Sequence, residues 1–425
     1  MGMLLLQINN NRFYYYDYVN NEIIYTLTEL LSKTEEQVDI NTNLNSDSFI
    51  LNLNNTRSQL TLCVSDKCNM RCKYCVYQDN RFQNVDFSYE NMTFEIAKRA
   101  IDNFMVSSKY MDTVAITFYG GEPLMNYALI QECVNYIKEE YNDRSVYLSM
   151  TTNATLLTEE IIIFLIENNF VINISLDGNK RNHDSNRVLA DKSPTFDKIM
   201  DKIKIICSLD RDFFINNIHF STVLDNDILD YDTYEFIELT PHSMRVAEVE
   251  EGEYYKNLKK ENEITKNETL KLNNINPLLY PKTFSYSLDK EQKVIDILRQ
   301  GKSYQKFTPG GFCLPMVKNA YVDIHGNYYI CEKVCPSNDN EIGNVFDGIN
   351  IEKIYNLNKK IENIMRTKCS KCFASRFCEI CYAVTDKEDY HLELFCNQTK
   401  DTVKVILIKY LNKNVNKIFE GDYLC

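Results

Sequence analysis

The chain has 425 residues, 44% apolar and 25% charged, the composition of an ordinary globular protein of two or three domains. Its 47 basic and 60 acidic residues leave a net charge of −13, which repels polyphosphate and argues against nucleic acid or an anionic membrane as a partner. No apolar run approaches the roughly 18 residues of a membrane span, and residues 1–7 are too short for a secretory signal, so a soluble cytoplasmic protein is expected.

Residues 1–59 read as a small N-terminal α+β appendage. It has a tyrosine-rich strand from Phe13 to Tyr18, a turn at Asn20 and Asn21, a second strand from Glu22 to Leu27 and a short helical stretch. The Asn-, Ser- and Asp-rich stretch from Asp39 to Arg57 favours side-chain bonding to local backbone and reads as a connector. From 60 to 250, short β-rich runs alternate with helical periodicity. Strands are expected at 60–65, 113–119, 146–152, 170–176, 218–224 and 244–249, and amphipathic helices at 93–106, 127–141, 158–168 and 195–207. Such alternation implies parallel strands joined by crossover helices, hence an α/β fold built on a partial (β/α)6 TIM-like barrel. Chemistry in such folds gathers at the strand C-terminal ends, and the loops there run from Cys68 to Cys75, Gly120 to Pro123, Thr152 to Asn153 and Asp177 to Arg187. Residues 251–312 read as a bridging region, with a charged run from Glu250 to Lys266 forming a solvated helix face and an amphipathic helix from Asp289 to Gln300. Nine of the fifteen cysteines lie from residue 313 onward, which marks 313–425 as a region apart.

Fifteen cysteines without an export signal are not expected to form structural disulfides, because cytosolic reductants keep thiols reduced. Metal binding, chemistry or burial remain. Cys68, Cys72 and Cys75 follow a strand with CxxxCxxC spacing, close enough for three thiolates to serve one inorganic cluster. A four-iron cluster normally takes four thiolates, so the loop implies either a distant fourth ligand or an iron left open for a small molecule. A zinc site completed elsewhere is the structural alternative. Cys63, Cys133 and Cys207 fall in strand or helix patterns and read as buried residues. His183 reads as a satisfied structural histidine, and the Phe13–Tyr18 aromatics as packing.

The stretch CNMRCKYC, Cys68 to Cys75, resembles the signature of the radical S-adenosylmethionine (SAM) superfamily, including its aromatic Tyr74. The resemblance implies a [4Fe-4S] cluster on Cys68, Cys72 and Cys75. It also implies that Gly120, Gly121 and Glu122 of YGGEP hold the SAM amino group, and that Thr152, Asn153, Ser175, Asp177 and Arg187 lie where relatives contact ribose and carboxylate. Glycines there have their own reason, since backbone approaches a ligand closely only without a Cβ. Downstream, Cys313, Gly326, Cys331, the run Cys369-x2-Cys372-x5-Cys378-x2-Cys381 and Cys396 resemble the iron-sulfur SPASM domain of peptide-modifying and sulfatase-maturing relatives. That resemblance implies two auxiliary [4Fe-4S] clusters, one on Cys369, Cys372, Cys378 and Cys396 and one on Cys313, Cys331 and Cys381. The last spacing is two residues where the family pattern has three. Cys335 is additional, either a fourth ligand or a bystander that leaves an iron open to a substrate thiolate.

With the leader-like first 59 residues and Met125-Asn126 after GGEPL, the chain looks most like maturases of ribosomally made precursor peptides that form Cys-to-carbon thioethers through a 5′-deoxyadenosyl radical. Flavodoxin or ferredoxin would supply electrons. The N-terminal hairpin is expected either to add a strand to a leader peptide or to cap the fold. Two rivals stand. An anaerobic sulfatase maturase making formylglycine places an Asp base after the cysteine matching Cys331, where this chain has Glu332, itself able to serve as a catalytic base. A non-catalytic iron-sulfur or zinc-scaffold protein would use the same cysteines.

Overall fold

The structure is a computed structural model, which describes residues 3–8, 12–17, 22–24, 55–75, 90–224, 244–248, 294, 296–298, 316–332, 334, 340–378 and 389–419. The expected N-terminal helical stretch, the charged run from 250 to 266, and Cys313, Cys335, Cys381 and Cys425 lie outside these residues, as does most of the connector at 39–57. Of the helix expected over 289–300, Val294 and 296–298 are described, and they are helical.

The chain opens with a three-stranded antiparallel sheet, β1 (Met3–Ile8), β2 (Arg12–Asp17) and β3 (Glu22–Ile24), in the order β1-β2-β3. The apolar run Met3–Ile8 is thus a strand paired with the tyrosine-rich one, Leu4 opposite Tyr16.

The second sheet has eight strands. β4 (Gln59–Ser65), β5 (Thr113–Gly120), β6 (Ser145–Thr152), β7 (Val171–Ser175), β8 (Ile218–Leu224) and β9 (Met244–Glu248) lie side by side in chain order, all parallel. These are the six strands the alternation predicts, within a residue or two at each end. Beyond β4 the sheet continues with β10 (Asn319–Val322), also parallel, and β11 (Tyr328–Tyr329), antiparallel. A seventh parallel strand, β10, thus joins the six of the partial barrel.

Crossover helices form where the sequence supplies caps and an apolar stripe. Helices α1 (Phe94–Ser107), α2 (Tyr127–Glu140) and α3 (Glu159–Glu167) follow the first three strands, then α4 (Lys180–Asn186), α5 (Phe196–Leu209) and α6 (Arg211–Asn217). Thr93, Thr158, Asn179 and Asp210 each accept a backbone N–H from the first turn, a cap worth about 1 kcal/mol. Along α1, Ala97, Ala100, Ile101, Phe104 and Met105 recur at helical spacing and are all buried. One face of the sheet supplies Leu60, Leu62, Ile116, Phe118, Met150, Ile172, Ile174 and Phe220 to the same core. The alternate positions are polar: Gln59 donates to Thr117 at 3.1 Å, and the Thr117 and Ser149 hydroxyls meet at 2.8 Å. This alternation leaves a polar inner face toward the strand ends where the site lies.

Contacts gather the chain into two compact units, 1–49 with 287–315 and 352–425, and 50–286 with 316–351. In the second unit, Arg57 is buried and donates to the Met316 carbonyl at 3.2 Å and to Ser107 at 2.8 Å, securing β10 beside β4. The short pair β12 (Gly343–Asn344) and β13 (Gly348–Ile349) completes that unit. In the first unit, α7 (Ile351–Thr367) and α8 (Asp389–Phe419) accompany the N-terminal sheet. Tyr16 is fully buried there, its ring 5.7 Å from that of Phe377, among Val294, Ala374, Val403 and Leu407. No described helix is long and apolar enough to cross a membrane.

Candidate active site at the C-terminal ends of the parallel strands

Four loops from successive strands meet. The first follows β4 and carries Cys68, Cys72 and Cys75. Its backbone is tied to the end of α4 and the residues just after it, with Lys73 N–H donating to Asn186 O at 3.0 Å and Arg71 N–H to Val188 O at 2.7 Å. Across from it, Gly121 N–H donates to Ser65 O at 2.9 Å and Glu122 N–H to Lys67 O at 2.8 Å. This proximity explains the two glycines. A Cβ on Gly120 would lie 2.3 Å from Ser65 O, and one on Gly121 would lie 2.5 Å from Lys67 O; Gly120 also holds φ +136°, which side-chain-bearing residues rarely adopt. The glycines thus admit the cysteine loop's own backbone.

Glu122 is 1% exposed and points into the protein. Its Oε1 accepts from Thr152 Oγ1 at 2.7 Å and Leu124 N–H at 3.1 Å, and its Oε2 from Asn153 N–H at 2.8 Å. Burial without a cation pushes its pKa up to about 7, against the pull of those three donors. Thr152 and Asn153 are therefore gathered on Glu122. Asn153 Nδ2 donates in turn to Asn69 Oδ1 at 2.9 Å, and Asn69 Nδ2 to Thr155 Oγ1 at 2.8 Å, so the cysteine loop is braced on the end of β6. Asn69 and Thr155 occupy no defining position of a motif in the sequence. The short polar side chain directly after Cys68 was the available signal. Asn126 donates to Val64 O at 2.8 Å and Met92 O at 3.1 Å, which gives that residue a bracing role as well.

The fourth loop brings Asp177, 3% exposed, and Arg187, 8% exposed, together: Arg187 Nε donates to Asp177 Oδ2 at 2.8 Å. The Tyr74 hydroxyl donates to the same oxygen, and Val223 N–H to Oδ1 at 2.9 Å. Burial and the neighbouring carboxylate hold the Tyr74 phenol well above its ordinary range. Burial works against the Arg187 charge, but Asp177 more than restores it. Ser175 ends β7, paired with Ser221 of β8. His183 is fully buried and, as expected, satisfied: its Nδ1 accepts from Asp177 N–H at 3.2 Å and its Nε2 lies 2.9 Å from Thr195 Oγ1. Burial first, then the Arg187 charge, lower its pKa to about 4.

The three cysteines are half-buried. Burial pushes Cys68 up to about 11 and Cys72 up to about 12, with the neighbouring cysteines adding to both and Arg187 opposing at Cys72. Among the described residues no three His, Cys, Asp or Glu side chains are grouped closely enough to hold one metal ion. A cubane cluster asks for something different, since each thiolate binds its own iron, and three half-buried thiols spread along one loop but within electrostatic reach of one another fit that demand.

In the first unit, a second set of thiols comes together. Cys378 is buried against Leu392, with Cys396 of α8 and Phe395 packed alongside, and 3₁₀ turns at 369–371 and 375–377 present Cys369, Cys372 and Cys378. Burial pushes Cys369 up to about 12, and Cys378, Cys372 and Cys396 each add to that shift. Cys331 and Glu332 follow β11, both half-buried.

The radical SAM superfamily model matches residues 62–234, the span from the first strand through all four loops. Residues 62–234 form a radical SAM domain. That domain implies SAM and a [4Fe-4S] cluster as cofactors, and the chain spans less than half the length of the first curated relatives it matches. It is 38% identical over 156 residues to the cysteine-type anaerobic sulfatase-maturating enzyme of Clostridium novyi, a stretch covering 35% of this chain and 40% of that protein. It is 26% identical over 371 residues to the enzyme of the same description from Clostridium perfringens, 82% of this chain and 96% of that one. The radical SAM cyclopropyl synthase TigE of Paramaledivibacter caminithermalis is 30% identical over 198 residues, 45% of this chain and 40% of that protein. Native anSMEcpe with bound AdoMet has the same fold, with a TM-score of 0.61 at 20% identity, covering 84% of this chain and 99% of that one.

Proposed function

We propose that the chain is a radical SAM enzyme that modifies a ribosomally made precursor peptide by joining a cysteine sulfur to carbon. The observation that carries the radical reading is the docking of the three-cysteine loop on Glu122, Asn153 and the Asp177–Arg187 pair, four strand ends converging on one shielded place. Cys68, Cys72 and Cys75 would hold the SAM-binding cluster. When bound there, SAM supplies a 5′-deoxyadenosyl radical, which removes hydrogen from carbon that acid–base chemistry leaves untouched. The residues around it hold, orient and exclude water. Arg187 presents a guanidinium suited to a carboxylate, Glu122 is a buried anion in want of a cation, and the packed core beneath the loops keeps solvent from the site.

We assign Cys369, Cys372, Cys378 and Cys396 to one auxiliary cluster and Cys313, Cys331 and Cys381 to a second, with Cys335 either its fourth ligand or a bystander. A cytoplasmic setting, where thiols stay reduced and flavodoxin or ferredoxin supplies electrons, suits this inventory. The peptide reading is supported by β3, which among the described residues pairs on one side only and so offers an edge for strand addition.

Formylglycine formation is the second reading, favoured by the near end-to-end match to sulfatase-maturating enzymes, with Glu332 as the base. Anaerobic co-expression with a short cysteine-containing peptide encoded beside the gene, followed by mass measurement, separates the two. Loss of two hydrogens per crosslink supports the thioether. An aldehyde at a single cysteine, without a crosslink, supports the other.

A further inference from the structure

Both carboxylate oxygens of Asp177 accept from protein donors. Its Oδ1 takes Val223 N–H, and its Oδ2 takes both Arg187 Nε and the Tyr74 hydroxyl. Its own backbone N–H goes to His183 Nδ1. The Thr195 hydroxyl donates to Arg187 O at 2.9 Å, so its oxygen must accept from His183 Nε2–H, which fixes the imidazole in one neutral tautomer. One closed net thus holds Arg187 at its carbonyl and at its Nε. The terminal nitrogens of Arg187 have no hydrogen-bond partner among the described residues, and its guanidinium carbon lies 5.2 Å from the centre of the Tyr74 ring. Tyr74 in turn lies between Cys72 and Cys75. A guanidinium held by Nε and flanked by an aromatic ring keeps its outer fork free for a planar anion.

We infer that Asp177 is a positioning residue: it aims the Arg187 fork and pins Tyr74 within the cysteine loop, and it makes no contact with the ligand itself. This rests on the SAM-site reading and names which of the two buried charges meets the ligand's carboxylate. The backbone bonds from Arg71 and Lys73 do not involve Asp177, so the loop keeps its iron when the carboxylate is changed.

The test uses the full chain with its clusters reconstituted anaerobically. SAM affinity is measured by equilibrium dialysis, alongside iron content and the electron paramagnetic resonance spectrum of the reduced protein with and without SAM. Asp177→Asn is expected to weaken SAM binding at least about tenfold at unchanged iron content, because a buried charged donor has lost its partner. Arg187→Gln is expected to weaken it as much or more. The double variant should bind within about twofold of Arg187→Gln alone, since a residue acting through another adds nothing once that other is gone. Effects that multiply, or an Asp177→Asn protein with wild-type affinity, would overturn the assignment. If Asp177→Asn does not fold, Tyr74→Phe replaces it in the same cycle with the same expectation of non-additivity, and multiplied effects there overturn the assignment equally. Wild-type protein that binds no SAM removes the SAM-site reading and this inference together, whereas wild-type binding with multiplied effects removes the inference alone.

Discussion

Glu122 and Asn153 meet across the ends of neighbouring parallel strands, the Asn153 N–H donating to Glu122 Oε2 at 2.8 Å inside a site where the carboxylate has no cation beside it. A buried anion of this kind makes stability depend on pH. Its pKa rises from 4.5 unfolded to about 7 folded, so the native state binds the extra proton between those values. The stabilisation is complete below pH 4.5 and is lost as pH rises through 7, a change of about 3 kcal/mol. His183 acts oppositely: its pKa falls from 6.5 to about 4, so its contribution is complete above 6.5 and lost as pH falls. Urea unfolding of the metal-free protein across pH 4.5 to 7 should show a shallow net slope. Glu122→Gln should become steadily more stable with rising pH in that window, as the histidine slope is exposed. A pH profile unchanged by Glu122→Gln would contradict this placement of the charge.

The glycines make a second prediction. Alanine at Gly121 drives a Cβ against Lys67 O, and at Gly120 it adds an unfavourable φ to a clash with Ser65 O, with backbone on both sides and nothing flexible to yield. Either substitution should cost about 2–4 kcal/mol, with Gly120 the worse, and should loosen the cysteine loop. Thermal unfolding and retained iron check this. Stable variants with full iron would show that the loop approaches β5 less closely.

The two sets of cysteines should be separable. Replacing Cys369 by Ser should remove roughly four irons yet leave SAM cleavage without peptide intact, because the residues proposed to hold SAM lie in the other compact unit. Iron analysis and product chromatography read the outcome. Complete loss of SAM cleavage would tie the two sets together.

Much of the barrel is legible in the sequence because its strands alternate apolar and polar positions and its helices carry their own caps, as at Thr93 and Thr158. β10 and β11 are not, since four- and two-residue strands carry no period, and β10 gains its place only by pairing with β4 more than 250 residues earlier. Arg57 reads as the end of a polar connector, and only the fold reveals it as a buried anchor for that pairing. At the site, spacing and loop order place Cys68, Gly120, Thr152 and Asp177 on four successive strand ends. Which way each carboxylate turns is decided by tertiary neighbours. Glu122 closes on Thr152 and Asn153, and Asp177 on Arg187 and Tyr74, contacts that no local pattern encodes.

The proposed chemistry depends on Cys68, Cys72 and Cys75 holding a cluster able to deliver an electron to SAM. The most direct test is anaerobic incubation of the reconstituted full-length chain with SAM and dithionite, followed by chromatography for 5′-deoxyadenosine. Release by the wild-type protein and none by Cys72→Ala is the predicted result; no release from wild-type protein carrying its full iron, or equal release from Cys72→Ala, would contradict it.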